Sequence, residues 1–151
     1  DLTVFENIRL YGGVYGMSVK DIRMKSDEML ERLGIVDLRD RLIGSVPLGW
    51  RQKLAFSVAV FHQPKIVFLD EPTGGVDPIT RRQFWNLIFE ASQKGITVFV
   101  TTHYMDEAEN CDRVCILSEG KIQAMGHPAD LKNTYRVKSM DELFVKVARN
   151  V

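Results

Sequence analysis

Three things are scarce in this chain of 151 residues. It has no surplus of charge: twenty Lys and Arg offset twenty Asp and Glu. No global field therefore draws in nucleic acid or an anionic membrane surface, and no nucleic-acid partner is expected. It has little cysteine. The two present, Cys111 and Cys115, sit in one short segment, which argues against a disulfide framework and for free thiols packed as small apolar groups in a reducing, cytosolic setting. It also lacks the roughly 18 uninterrupted apolar residues that a membrane span requires. The most apolar stretch, 54–69, is broken by His62, Gln63, Pro64 and Lys65, so any tie to a membrane must come through a partner. There are no internal repeats and no low-complexity linker. An initiator Met is missing too: "DLTVFENIRL" opens inside what reads as a helix start, and a piece of something longer is expected.

What is present divides softly near Ser45. Before it the chain reads as helical. Thr3 followed by Glu6 is a capping box, with Val4, Ile8 and Leu10 as the apolar positions of the first helix. Ser18 or Asp21 caps a second, whose face is Ile22, Met29, Leu30 and Leu33 and which Gly34 ends. After it, a helix over 51–62 carries Leu54, Ala55, Val58, Ala59 and Phe61 and leads into a strand at 65–69. A helix over about 78–93 follows, with Phe84, Trp85 and Phe89 as core, and "ITVFVTTH" reads as a buried strand ending at His103. "MDEAENC" is a short acidic helix, and "RVCILSEG" and "KIQAMG" are strands joined at Glu119-Gly120. "HPADLK" and "SMDELFVKVARNV" close the chain as helices. Alternation of strand and helix implies a mostly parallel sheet whose ligand groups sit at the carboxyl ends of its strands. The expected class is α/β.

The chemistry gathers at "IVFLDEPTGGVDP", 66–78. An apolar strand runs into Asp70 and Glu71, then into a loop with Gly74, Gly75 and Asp77, and His103 ends the next strand. On their own, two acids leaving a strand are also an ordinary polar exit from a core. With a third acid and an imidazole on the same rim, each gains a role if the substrate is a nucleoside triphosphate. Magnesium keeps most of its waters and needs few protein oxygens, so Asp70 can hold it. Glu71 can orient or deprotonate the attacking water, and His103 can hydrogen-bond the phosphoryl group as charge develops.

Together with "VFVTTHYMDEAE" and "CDRVCIL" downstream, this stretch resembles the second half of an ATP-binding cassette (ABC) transporter ATPase of the exporter type. The resemblance covers essentially the whole chain. It implies a partial P-loop NTPase domain: a helical subdomain at 1–48, a catalytic-core half at 49–130 with the Walker B strand, the D-loop and the switch His, and C-terminal helices at 131–151. It implies ATP and Mg2+ as cofactors, Glu71 and His103 as catalytic residues, Asp70 as the metal contact, an ATPase dimer partner and a transmembrane permease subunit. It places the protein in the cytoplasm, peripheral at the inner face of the membrane. Tyr11, Tyr15 and Met17 then become candidates for contact with the membrane subunit. His62, His127, Arg81 and Arg82 read as surface residues.

The sequence departs from the family at the D-loop, where Gly74-Gly75-Val76-Asp77 stands for the common Ser-Ala-Leu-Asp and only Asp77 is kept, and in two further places. The signature segment, usually Leu-Ser-Gly-Gly-Gln, aligns with Val46-Pro47-Leu48-Gly49-Trp50, where only Gly49 matches. The resemblance still assigns Pro47, Leu48, Gly49, Trp50 and the D-loop Asp77 to nucleotide held by a facing subunit. Pro47 offers neither hydroxyl nor N–H, while the helix start itself, with Arg51 and Lys53 close by, keeps its attraction for an anion. The second departure is larger: no G-x-x-x-x-G-K-[ST] phosphate loop occurs, since Gly120-Lys121 lacks the rest of the pattern. The carboxylates are thus expected to be half of a site, with weak ATP binding by this chain alone. A soluble cassette protein of translation or DNA maintenance and a non-catalytic interaction fragment are the rival expectations.

Overall fold

The computed structural model describes residues 2–148; Asp1 and the end of the last expected helix, 149–151, lie outside the described residues. Two compact units divide the chain, Asp1–Val100 and Thr101–Val151.

In the first unit, α1 (Val4–Val14) starts at the expected capping box: Thr3 Oγ1 accepts from Glu6 N at 3.2 Å and the Glu6 carboxylate accepts from Thr3 N at 2.8 Å. Helical spacing of four buries Val4, Ile8 and Gly12. Leu10 does not join them and is half exposed, because two residues on from Ile8 is about 200° around the helix. Gly12 lets α2 (Val19–Leu33) approach closely; a Cβ there would lie 2.8 Å from Ile22 Cγ1. Ser18, not Asp21, caps α2, accepting from the Asp21 amide at 3.1 Å, and Gly34 ends it in the left-handed region. Ile22, Met29, Leu30 and Leu33 pack with Val4, Ile8, Leu54 and Val58 in one core, the last two from α3 (Leu48–Ala59). Ala55 of α3, read as apolar face, is exposed.

β1 (Ile66–Asp70) and β2 (Thr97–Thr101) are hydrogen-bonded neighbours joined through α4 (Pro78–Gln93). A connection through a full helix is the kind that links parallel strands. Two expectations fail here. β2 ends at Thr101, short of His103, and it is not buried: Phe99 is 55% exposed, beside the 74% exposed Phe68 of β1, their rings 5.7 Å apart. Side chains alternate between strand faces, so with Val67 buried, Ile66 and Phe68 lie together on the opposite, open face. On α4, Phe84 and Trp85 are core as expected, but Phe89 is partly exposed.

The second unit holds α5 (Met105–Ala108), the strands β3 (Val114–Ser118) and β4 (Lys121–Gly126), α6 (Pro128–Tyr135) and α7 (Met140–Ala148). β3 and β4 pair antiparallel, from Val114 opposite Gly126 to Ser118 opposite Lys121, with an irregularity after Ile116. Glu119 and Gly120 both have positive φ, the conformation that matches a tight turn to the twist of its strands. His127 caps α6, its Nδ1 accepting from Ala129 N at 3.2 Å. Ile116, Ala124, Leu131, Met140, Leu143 and Val147 form the core. Among the described residues no helix is long and apolar enough to cross a membrane, and both cysteines are free.

Candidate functional site

β1 delivers the paired acids. Asp70 is its last residue and is exposed. Glu71 follows with φ of 43°, in the left-handed region that costs a side-chain-bearing residue about 1–2 kcal/mol. That backbone reversal opens a turn, in which the Gly74 amide donates to the Glu71 carbonyl at 3.1 Å, and buries Thr73 at 1% exposure. Glu71 is thereby lifted off the strand with its side chain exposed. Among the described residues no group of three or more His, Cys, Asp or Glu is arranged to hold a metal. A single exposed carboxylate such as Asp70 is a donor of the type that suits magnesium, which keeps most of its waters.

The segment 46–50 and the loop 74–77 meet within the same unit. Pro47 begins α3 without a side-chain cap, and Leu48 Cδ2 would touch a Cβ at Gly75 at 3.5 Å. Gly49 packs on the first turn of α4 so tightly that a Cβ would fall 2.5 Å from Thr80 Cγ2. Gln52 Nε2 donates to the Gly74 carbonyl at 3.0 Å. Lys53, 5% exposed, donates its ammonium to Gln83 Oε1 and sets it 4.1 Å from the centroid of the Trp50 ring. Burial holds the Lys53 pKa below the ordinary lysine value, opposed in part by the Asp77 carboxylate.

Asp77 is the N-cap of α4. Its Oδ1 accepts from the Ile79 and Thr80 amides, each at 3.0 Å, and its Oδ2 from the Thr80 hydroxyl at 2.5 Å. These bonds, that of the Thr80 hydroxyl foremost, hold its carboxyl below the usual aspartate range. Gln52, Thr80 and Gln83 were not legible as site residues. Only Thr80 left a signal, standing three residues after a capping Asp.

His103 belongs to the second unit. It is exposed, and its ring centroid lies 4.1 Å from that of Tyr104.

The family model described as "ABC transporter" matches residues 1–74. The chain is 47% identical over 132 residues to a probable multidrug ABC transporter ATP-binding protein, YbhF, of Escherichia coli, covering 87% of this chain and 23% of that protein. It is 35% identical over 134 residues to the daunorubicin/doxorubicin resistance ATP-binding protein DrrA of Streptomyces peucetius, covering 88% of this chain and 41% of that one. A solved structure of an ATP-binding subunit of an ABC transporter matches 99% of this chain and 63% of its own at 26% identity, with a TM-score of 0.85. The chain thus spans less than half the length of these two relatives.

Proposed function

This chain is part of an ABC transporter ATPase domain, homologous to multidrug ABC transporter ATP-binding proteins, and from that premise we propose that it carries the hydrolytic half of an ATPase that powers a membrane exporter. The observation that carries this is the end of β1, where the backbone reverses at Glu71 and presents two adjacent exposed carboxylates. Residues 1–48 serve as the helical subdomain and 49–130 as the catalytic-core half, with the C-terminal segment following from 131. An ATPase dimer partner and a transmembrane permease complete the assembly, which sits at the inner face of the membrane.

Asp70 would hold magnesium, which would supply positive charge to the phosphate oxygens. Glu71 orients the attacking water and accepts its proton, the positioned-base role that phosphoryl transfer requires. His103 donates a hydrogen bond to the phosphoryl group. Pro47, Leu48, Gly49 and Trp50 act on nucleotide in the facing subunit through the helix start rather than through a hydroxyl. Asp77 spends its carboxylate on α4 amides and so acts by holding the 74–77 loop in place. In the protein that carries the rest of the domain, Glu71→Gln should abolish turnover while ATP stays bound and the dimer closed. ATP hydrolysis at the unsubstituted rate in that variant would refute the assigned base.

A further inference from the structure

Thr102 and Glu107 have no part in the roles above, yet they are joined on either side of His103. Glu107 is 1% exposed, a placement that is costly for a carboxylate unless it is hydrogen-bonded. Its Oε2 accepts from the Thr102 hydroxyl at 2.6 Å, and the same hydroxyl oxygen accepts from the Tyr104 amide at 3.0 Å. Tyr104 is the N-cap of α5 and Glu107 stands three residues on. In a capping box a Glu there reaches back to the N-cap amide itself. Here the amide is taken by Thr102, and the carboxylate takes the hydroxyl, so the box closes through one inserted side chain. The hydroxyl suits that point because one oxygen both donates and accepts.

The consequence falls on His103. The side chain before it and the amide after it are fixed to a buried anion, while its own ring remains exposed against Tyr104. We propose that Glu107 and Thr102 are positioning residues that fix the backbone on both sides of His103 and so hold its imidazole ready for phosphate. The proposal rests on the phosphate-contacting role given to His103 above. It differs from a simple cap for α5 in making His103 presentation, and with it turnover, depend on a relay through Thr102.

The bonding is tested first in this chain, by amide hydrogen exchange. Thr102→Val keeps the shape and removes the hydroxyl; exchange at Tyr104 should quicken roughly tenfold, with amides elsewhere in the unit unchanged, and Thr102→Ser should restore protection. Leu143→Ala, which opens the core of the unit and leaves the Thr102 hydroxyl in place, should instead raise exchange across the whole unit. Unchanged protection at Tyr104 in Thr102→Val would overturn the relay. Should Thr102→Val not fold, Glu107→Gln is close in size, weakens the same bond and is read the same way. The role is then tested by ATP hydrolysis in the full-length protein. Thr102→Val should lower kcat roughly tenfold with nucleotide affinity unchanged, and Thr102→Ser should recover it. Loss of turnover in His103→Ala beside normal kcat in Thr102→Val overturns the positioning role alone. Normal turnover in His103→Ala overturns the phosphate role of His103 and the positioning role with it, whatever the exchange result.

Discussion

Replacing Gly49 with Ala tests whether the start of α3 is locked to α4. Two effects oppose each other. Ala is favoured over Gly in a helix by about 1 kcal/mol, which on its own would stabilise the chain. The new methyl carbon, however, would lie 2.5 Å from Thr80 Cγ2, roughly 1 Å inside ordinary van der Waals contact. Thr80 cannot easily turn away. It is β-branched and stiff at χ1, and its hydroxyl and amide are both committed to Asp77. Overpacking of this kind costs about 1–3 kcal/mol, so Gly49→Ala should be destabilising by up to about 2 kcal/mol once the helix-propensity gain is set against it. In a Thr80→Ser background the offending methyl is absent and the hydroxyl stays, so the sign should reverse and the same change should stabilise. Both tryptophans, Trp50 and Trp85, lie in the first unit, and their fluorescence during urea unfolding reports on that unit. With a slope of about 2 kcal/mol per molar urea, a loss of about 1 kcal/mol lowers the midpoint by about 0.5 M. A raised midpoint for Gly49→Ala with Thr80 in place would show that Thr80 moves freely and would refute the locked contact.

Two further outcomes follow from the structure. The Asp77 carboxyl titrates lower in the folded chain than in the unfolded one, chiefly through the Thr80 hydroxyl; its contribution to stability is therefore complete above the unfolded value of about 4 and is lost as pH falls through the folded one. Asp77→Asn should flatten the acid limb of the urea midpoint against pH, and an unaltered limb would argue that the cap bonds are not kept in solution. Phe68 and Phe99 on the open face of β1 and β2 should drive association of this chain with itself, since exposed apolar sheet surface invites pairing. In sedimentation velocity Phe68→Ser should shift the chain toward monomer, and a monomeric parent chain at the same concentration would remove the argument.

Much of the fold was legible where the signal is local. The Thr3–Glu6 box, the Ser18 cap and Gly34 are each settled within four residues, and all three end or begin a helix as their chemistry requires. Burial was less legible. The apolar runs at 66–69 and 96–100 state what a strand can bury, not what is there to cover it, and so the exposure of Phe68 and Phe99 could not be read from composition. The placement of the acids at the end of β1 was legible because it is a matter of order along the chain, whereas His103 falls two residues past the end of β2. Gln52 with Gly74, and Lys53 with Gln83, were missed because they depend on how α3 packs on α4.

That packing also bears on the segment 46–50, proposed above to act on nucleotide in a facing subunit. Position 49 has no space for a side chain beside Thr80, so glycine is required there by contact with α4, whatever binds in front of the helix. The neighbouring positions are less constrained: Pro47 and Leu48 are exposed, and Pro47 fixes the entry to α3 without a cap from any side chain. Trp50 is the substitution that adds something. Its ring lies against the Lys53 ammonium at 4.1 Å, and an aromatic face lowers the cost of keeping that cation out of water. Lys53 in turn reaches Gln83 of α4, while Gln52 one residue earlier holds the Gly74 carbonyl. The start of α3 is therefore joined to the loop after Glu71 by contacts that do not pass through the missing serine and glutamine. A displacement of one would be carried to the other.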